Sequence, residues 1–210
     1  MIFQGIIFDL DGVICSTDEY HYQAWKELAD REGIPFDRSV NNRLRGVSRM
    51  ESLEILLERA KRFYSQEEKE KMAAAKNTRY QELLREMTPA DLSPEVFETL
   101  ETLRKQGLKL AIGSSSKNTP LILDRLGLGG YFDAVSDGNN ITRSKPAPEV
   151  FLKAAEYLGL SPETCLVVED SVSGVEAAHR AGMNAAALGD ADKTGVGERK
   201  LPSFSALMTL

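Results

Sequence analysis

The chain has 210 residues, 42% of them hydrophobic and 28% charged, which is room for one full core and a smaller second module of an ordinary soluble protein. A net charge of −6 argues against a general nucleic-acid or anionic-membrane surface, so a small anion would need local cations of its own, for which Arg45, Arg49, Lys76, Lys117 and Lys145 are candidates. No stretch approaches the roughly 20 apolar residues of a membrane span, and no basic-then-apolar secretion signal opens the chain.

Residues 3–8, Phe-Gln-Gly-Ile-Ile-Phe, form an apolar run too short for a helix and read as a buried strand. It ends in Asp9, and Asp11 follows two positions later, so both carboxylates leave the strand on one side. Gly12 then permits a sharp turn. Two acids this close repel each other unless a cation sits between them or one takes a proton. An isolated Asp-X-Asp-Gly is more often a solvated Asx turn; here the strand before it and the partners further along favour a site. Cys15, next in the chain, and Cys165 each flank an apolar segment and read as reduced, partly buried thiols, which places the protein in the cytoplasm.

From about residue 18 to 87 the pattern is helical. Tyr20, Ala24, Trp25 and Leu28 form one apolar stripe; Leu53, Leu56, Leu57, Ala60 and Phe63 a second; Tyr80, Leu83, Leu84 and Met87 a third. Between the first two, Asn41 to Arg49 is polar and contains Gly46, which reads as a loop with a functional task. From about 91 onward helices and strands alternate. Val96, Phe97, Leu100 and Leu103 mark a helix stopped by Gly107, and 108–112 a strand ending in Gly113-Ser114-Ser115-Ser116. Residues 121–126 are helical, 132–135 a short strand and 150–158 a helix closed by Gly159. A strand at 166–168 ends in Glu169-Asp170, a helix runs from 175 to 181, and 184–188 is another strand. The tail after 190 receives no assignment.

This alternation predicts an α/β fold, a Rossmann-like, mostly parallel sheet with helices on both faces. The first strand belongs to that sheet although some 70 helical residues follow it. The expected domains are therefore a core of 1–15 with 88–210 and an inserted α-helical cap of 16–87, hinged near 14–18 and 87–92. Ligands of open parallel sheets bind at the C-terminal strand edges. Those edges carry Asp9 and Asp11; Ser114 to Ser116 with Lys117 and Asn118; Asp137 and then Ser144-Lys145-Pro146; and Glu169-Asp170. Each has a plainer reading: a helix N-cap for the serines and for Glu169-Asp170, and a solvated turn cation for Lys145. Their joint arrival at one edge points to a crevice of acids, hydroxyls and a lysine.

In that order the segments resemble the four motifs of the haloacid dehalogenase (HAD) superfamily, and the resemblance covers essentially the whole chain. Residues 12–25, Arg45 to Arg49, Lys76-Asn77, Ser114 to Asn118 and Ser144 to Pro148 are similar, within it, to the β-phosphoglucomutase group. The resemblance implies an isomerase, an intramolecular phosphotransferase that interconverts β-D-glucose 1-phosphate and glucose 6-phosphate through an aspartyl-phosphate enzyme and a 1,6-bisphosphate. Asp9 would be the nucleophile and Asp11 the acid and base. Mg²⁺ would be held by Asp9, Asp170, the main-chain carbonyl of Asp11, and Glu169 directly or through water. Lys145, Ser114 and Ser115 would hold the transferring phosphoryl group. Arg49, whose planar fork suits phosphate, would seat a second phosphate with Ser116, Lys117 and Asn118.

Gly46, Val47 and Ser48 would contact the sugar through backbone groups, with Trp25 and Ser52 shaping the pocket. Thr17 and His21 would position Asp11 on closure, and Lys76 would engage His21 together with Asp11 or the ligand. The partner implied is a small sugar phosphate, with no nucleic acid and no membrane, and a moving cap suits a monomer. Two positions depart from the group's pattern, Arg45 where lysine is usual and Ser16 where aspartate is frequent, and they bear on sugar identity. Two other readings stay open. One is a Mg²⁺-dependent sugar-phosphate phosphatase of the same fold. The other is a phospho-accepting receiver module, which would lack both the second aspartate and the helical insertion.

Overall fold

The computed structural model describes residues 3–44, 47–189, 191 and 197–209. Its sheet contains β1 (Gly5–Phe8), β2 (Lys109–Gly113), β3 (Ala134–Ser136), β4 (Cys165–Glu169), β5 (Asn184–Ala187) and β6 (Arg199–Lys200). The spatial order is β3-β2-β1-β4-β5-β6, and every pair is parallel. β1 lies between β2 and β4, with Ile7 opposite both Ala111 and Val167. It is buried on both faces, as a central parallel strand must be. Ile6 and Phe8 join one core with Leu110, Ile112, Leu166 and Val168. Ile7 faces the other, with Phe151, Val167 and Val175.

After β1 the described residues form α1 (Asp18–Glu32), α2 (Arg38–Asn42), α3 (Arg49–Leu57) and α4 (Gln66–Leu84) before the chain returns to the sheet through one more α-helix. α3 and α4 each open on a capping box, Ser48 with Glu51 and Ser65 with Glu68, so their first amides are paired before the apolar stripe begins. These helices have a core of their own, in which Trp25, Leu28, Leu53, Leu56, Met72 and Ala73 meet. The end of α4 leaves it: Tyr80, Leu83 and Leu84, with Met87 beyond, pack into the sheet's core and seat the helical block on the strands. Downstream come α5 (Pro94–Lys105), α6 (Thr119–Arg125), α7 (Glu149–Leu158) and α8 (Val172–Arg180), which cover the two faces.

The predicted α/β class and the order of its elements agree with this architecture. Both cysteines are free and buried, and no helix among the described residues is long and apolar enough to cross a membrane. Three local expectations are corrected. Phe63 is fully exposed rather than part of a stripe, because α3 stops at Leu57 and the chain turns before the helical period reaches residue 63. Phe97 is largely exposed although its neighbours Val96 and Leu100 are buried, since it lies off the buried face of α5. The stretch from Asn41 begins inside a helix, and Asn41 is buried; Arg45 and Gly46 lie outside the described residues. In the unassigned tail, Arg199–Lys200 adds the sixth strand and Phe204–Thr209 a 3₁₀ turn.

The contrast between Leu56 and Phe63 is measurable. Leu56→Ala should cost roughly 2–5 kcal/mol in urea unfolding, the usual range for a truncated core leucine. Phe63→Ala should stay within about 0.5 kcal/mol of the parent. A comparable loss at both positions would mean that residue 63 is packed.

Candidate active site

Because β1 and β4 are neighbours while the chain runs from β1 towards β2 on the other side, a crevice opens at their carboxyl ends. The Asp9 amide donates to the Val168 carbonyl (2.9 Å), so the register of β4 holds the Asp9 backbone directly. The Lys145 ammonium, from the turn before α7, donates to Asp9 Oδ1 and to Glu169 Oε1 at 2.6 Å each. All three groups are buried. Burial pushes the Asp9 carboxyl up to about 7; Lys145 opposes this, while Glu169 and Asp11 add repulsion. Burial alone would lower the Lys145 ammonium, but the two carboxylates outweigh it and hold it above the ordinary lysine value.

Carboxylate oxygens of Asp9, Glu169 and Asp170 lie within 4.8 Å of one another. This all-oxygen set suits a hard divalent cation. Two glycines make room for it. Gly12 has φ +87°, and a Cβ there would stand 2.1 Å from Asp170 Oδ2; a Cβ on Gly174 would stand 1.9 Å from Glu169 Oε1. Glu169 Oε2 accepts from both the amide and the hydroxyl of Ser171. With Lys145 on its other oxygen, Glu169 has both oxygens engaged by protein donors. The Asp11 side chain is elsewhere, outside this trio.

Asp11 turns towards the start of α1. Its Oδ1 accepts from the Thr17 amide (2.8 Å) and its Oδ2 from the Thr17 hydroxyl (2.7 Å), which in turn accepts from Tyr80 (2.9 Å). Burial pushes the Tyr80 phenol well up, so it remains a donor. His21 and Trp25 are one helical turn apart on α1, facing Lys76 and Tyr80, one turn apart on α4. The Lys76 amine is 2.8 Å from His21 Nδ1 and lies over the Tyr80 ring, 4.3 Å from its centre. Burial, then Lys76 and Arg49, hold the His21 imidazolium well below the usual range. With Lys76 donating to Nδ1, the ring proton of neutral His21 sits on Nε2, 3.8 Å from Asp11 Oδ2. Lys76 is itself depressed, by burial first and Arg49 second.

Between the helical block and the sheet lies a cavity of about 550 Å³, lined by every described residue proposed for the site except Thr17, which is buried beneath it, and Glu169. On the sheet side, Ser114 Oγ accepts from the Ser116 amide and Ser116 Oγ from the Asn118 amide, which coils the loop after β2. Gly138 lets the loop after β3 approach it, since a Cβ there would sit 2.5 Å from the Ser115 carbonyl. The Asn118 side chain is engaged by α4: it accepts from Gln81 (2.8 Å) and donates to Asn77 (3.0 Å). Val47 and Ser48 reach the cavity from the helical side, but the Ser48 amide donates to Glu51 and its carbonyl accepts from Ser52. Arg49 heads α3, half buried, with no ion pair among the described residues. Gly46 lies outside the described residues.

Tyr80, Gln81, Ser171 and Gly174 have site contacts that sequence patterns did not reveal. Tyr80 was hidden in an apolar stripe, although its hydroxyl is the only polar tip there. Gln81 looked like an ordinary exposed helix residue. Ser171 and Gly174 follow the acidic pair at spacings that a cap and a close approach require, which is the signal that could have found them.

The chain matches the family model for haloacid dehalogenase-like hydrolases over residues 3–182. It is 43% identical to a β-phosphoglucomutase of Bacillus subtilis, over 89% of this chain and 83% of that protein. It is 36% identical to a phosphorylated carbohydrates phosphatase of Thermotoga maritima, over 86% of this chain and 82% of the relative. Among solved structures, a β-phosphoglucomutase of Clostridium difficile superposes with a TM-score of 0.90 at 37% identity, covering 98% of this chain and 93% of that one.

The raised Asp9 carboxyl yields a test of the acidic trio. An aspartate in the unfolded chain releases its proton near 3.8, while folded Asp9 keeps it to about 7. Between those values the folded state binds more protons, so metal-free stability falls as pH rises through the window. A cation on Asp9 must displace that proton. Millimolar Mg²⁺ should therefore raise the melting temperature more at pH 8 than at pH 5.5, and an equal gain at both would remove Asp9 from the cation site.

Proposed function

The chain belongs to the haloacid dehalogenase-like hydrolases, and on that premise we propose that it interconverts β-D-glucose 1-phosphate and glucose 6-phosphate through an aspartyl-phosphate enzyme and a 1,6-bisphosphate. The observation that carries this reading is a second cationic face. Lys145 stands beside Asp9 on the sheet side, while Arg49 enters the same cavity from the helical block without a carboxylate partner among the described residues. A bisphosphate presents two dianionic ends, and two cationic faces answer it. The mutase relatives support the choice. In this reading residues 16–87 are a cap over a core of 1–15 and 88–210, and the protein acts as a cytoplasmic monomer in which both thiols stay reduced.

Asp9 attacks phosphorus in line, the ester P–O bond breaks, and Asp11 delivers its proton to the departing sugar oxygen. In the second half the acceptor hydroxyl gives its proton to Asp11 and attacks the aspartyl phosphate, freeing Asp9. Asp9 and Asp170, with Glu169 through water and the Asp11 carbonyl, would hold Mg²⁺, which supplies charge neutralisation for the approach of a carboxylate to a phosphate dianion. Lys145, Ser114 and Ser115 bind equatorial oxygens. Arg49, Ser116, Lys117 and Asn118 seat the other phosphate, and Val47, Ser48, Ser52 and Trp25 bound the sugar. Thr17 and His21 aim Asp11, with Lys76 and Tyr80 behind them. Covering the site excludes water, so a sugar hydroxyl takes the phosphoryl group in its place.

The Thermotoga relative favours a second reading, hydrolysis of sugar phosphates with the same first half-reaction. A coupled assay separates them: glucose 6-phosphate formed from β-glucose 1-phosphate with a bisphosphate primer, against inorganic phosphate released. Rapid phosphate release without glucose 6-phosphate would overturn the mutase. Asp11→Asn should slow turnover by roughly 10²- to 10⁴-fold, the usual worth of a general acid and base. Arg49→Ala should depress mutase turnover far more than hydrolysis of a small phosphate ester, and equal loss in both would dismiss a second phosphate seat.

A further inference from the structure

The cavity wall supplied by the helical block sets the apolar side chains of Trp25, Leu44, Val47, Met50 and Ala73 among polar ones such as Arg49 and Lys76. Asn41, on the last turn of α2, lines that wall and is only 7% exposed. Its backbone is satisfied, since its amide donates to the Asp37 carbonyl and its own carbonyl accepts from Arg43 and Leu44. Its side-chain carboxamide takes part in no hydrogen bond among the described residues. Because Asn41 lines the cavity, a ligand held there can reach the carboxamide. Ser52 on α3, 4% exposed, lines the same wall with its hydroxyl likewise unpaired among the described residues.

A carboxamide this buried loses its water when a ligand fills the cavity and needs a partner arriving with that ligand. It offers a donor and an acceptor together and carries no charge. That pairing suits a hydroxyl, which both gives and takes a hydrogen bond, better than a phosphate, which only accepts. The charges for phosphates stand elsewhere, on Lys145, Lys117 and Arg49. We propose that Asn41 is a specificity-determining residue that pairs with a ring hydroxyl of the sugar lying between the two phosphate seats. This rests on the sugar-phosphate reading above. It extends that reading from the ends of the ligand to its body. Sites built to pair a substrate hydroxyl reject analogues lacking it far more strongly than apolar pockets reject a missing methylene.

The test compares β-glucose 1-phosphate with its 2-, 3- and 4-deoxy analogues on the Mg²⁺-loaded protein and on Asn41→Ala, as kcat/KM. The parent protein should disfavour one analogue by about tenfold or more. Asn41→Ala should lose a similar factor on the full sugar and little further on that analogue. Asn41→Asp, of the same shape, gives a second variant should alanine fail to fold, and it should shift the preference among analogues because it only accepts. An equal fall on all four sugars, or no preference in the parent protein, would overturn the proposal. If phosphate is released but no glucose 6-phosphate forms, the mutase reading fails while the same ratios, taken from phosphate release, still decide the role of Asn41. If nothing turns over, the thermal shift produced by each sugar phosphate supplies the ratios.

Discussion

One buried ammonium organises the centre of this protein. Lys145 lies between Asp9 and Glu169, two carboxylates that come from neighbouring strands and are 160 positions apart in the chain. Removing three charges from water is costly, and their mutual attraction repays it only with close geometry and paired remaining oxygens. Both conditions hold: the contacts are 2.6 Å, and the second Glu169 oxygen takes two donors from Ser171. Burial still weighs on Asp9: loss of water, and then repulsion from Glu169 and Asp11, raise its carboxyl to about 7 in spite of Lys145. A divalent cation beside Asp9, Glu169 and Asp170 would favour the ionised form of Asp9, since it would offset the cost of burying that charge.

The second acid is held differently. Asp11 is two residues from Asp9, yet its carboxylate belongs to the helical block, bound at both oxygens by Thr17 and approached by His21. The chain Tyr80 to Thr17 to Asp11 ties its orientation to α4, the helix whose end packs on the sheet. Any movement of the block relative to the sheet would therefore move the Asp11 carboxylate while leaving Asp9 in its register. Two like residues obtain unlike surroundings because they answer to different parts of the fold. The Asn118 side chain, gripped by Asn77 and Gln81, is a further link between α4 and the loop after β2.

The sheet and the crevice were legible because their signals are local. Apolar runs that end in Asp9, Ser114 and Glu169 mark strand edges, and a parallel sheet must bring those edges to one side. Lys145 was legible only through its company, since nothing in a lysine before a proline separates a surface turn from a buried ion pair. Failures arose where burial depends on which way a helix face turns. Phe63 and Phe97 carry apolar side chains into solvent, which hydrophobic period reads wrongly; it reads the burial of Tyr80 correctly but is silent on the task of its hydroxyl. Glycines at 12 and 174 were visible as letters, but their purpose is the space a carboxylate occupies, which exists only after β1 and β4 meet.

The distribution of charge in the cavity explains how a chain with a net charge of −6 can bind a strongly anionic ligand. Most of the negative charge is on the outer surface, part of it in ion pairs such as Arg43 with Glu58 and Arg79 with Glu27. Exposed pairs of that kind are screened and contribute little field inside. The cations Arg49 and Lys76, by contrast, are withdrawn into the cavity, and burial lowers the affinity of each for its proton. An anion entering between them would relieve their desolvation as well as their mutual repulsion. Ligand charge would thus do for the helical face what a divalent cation would do for the sheet face. A phosphate ester that brings a divalent cation to the acids of the sheet edge would relieve the buried charges on both faces at once.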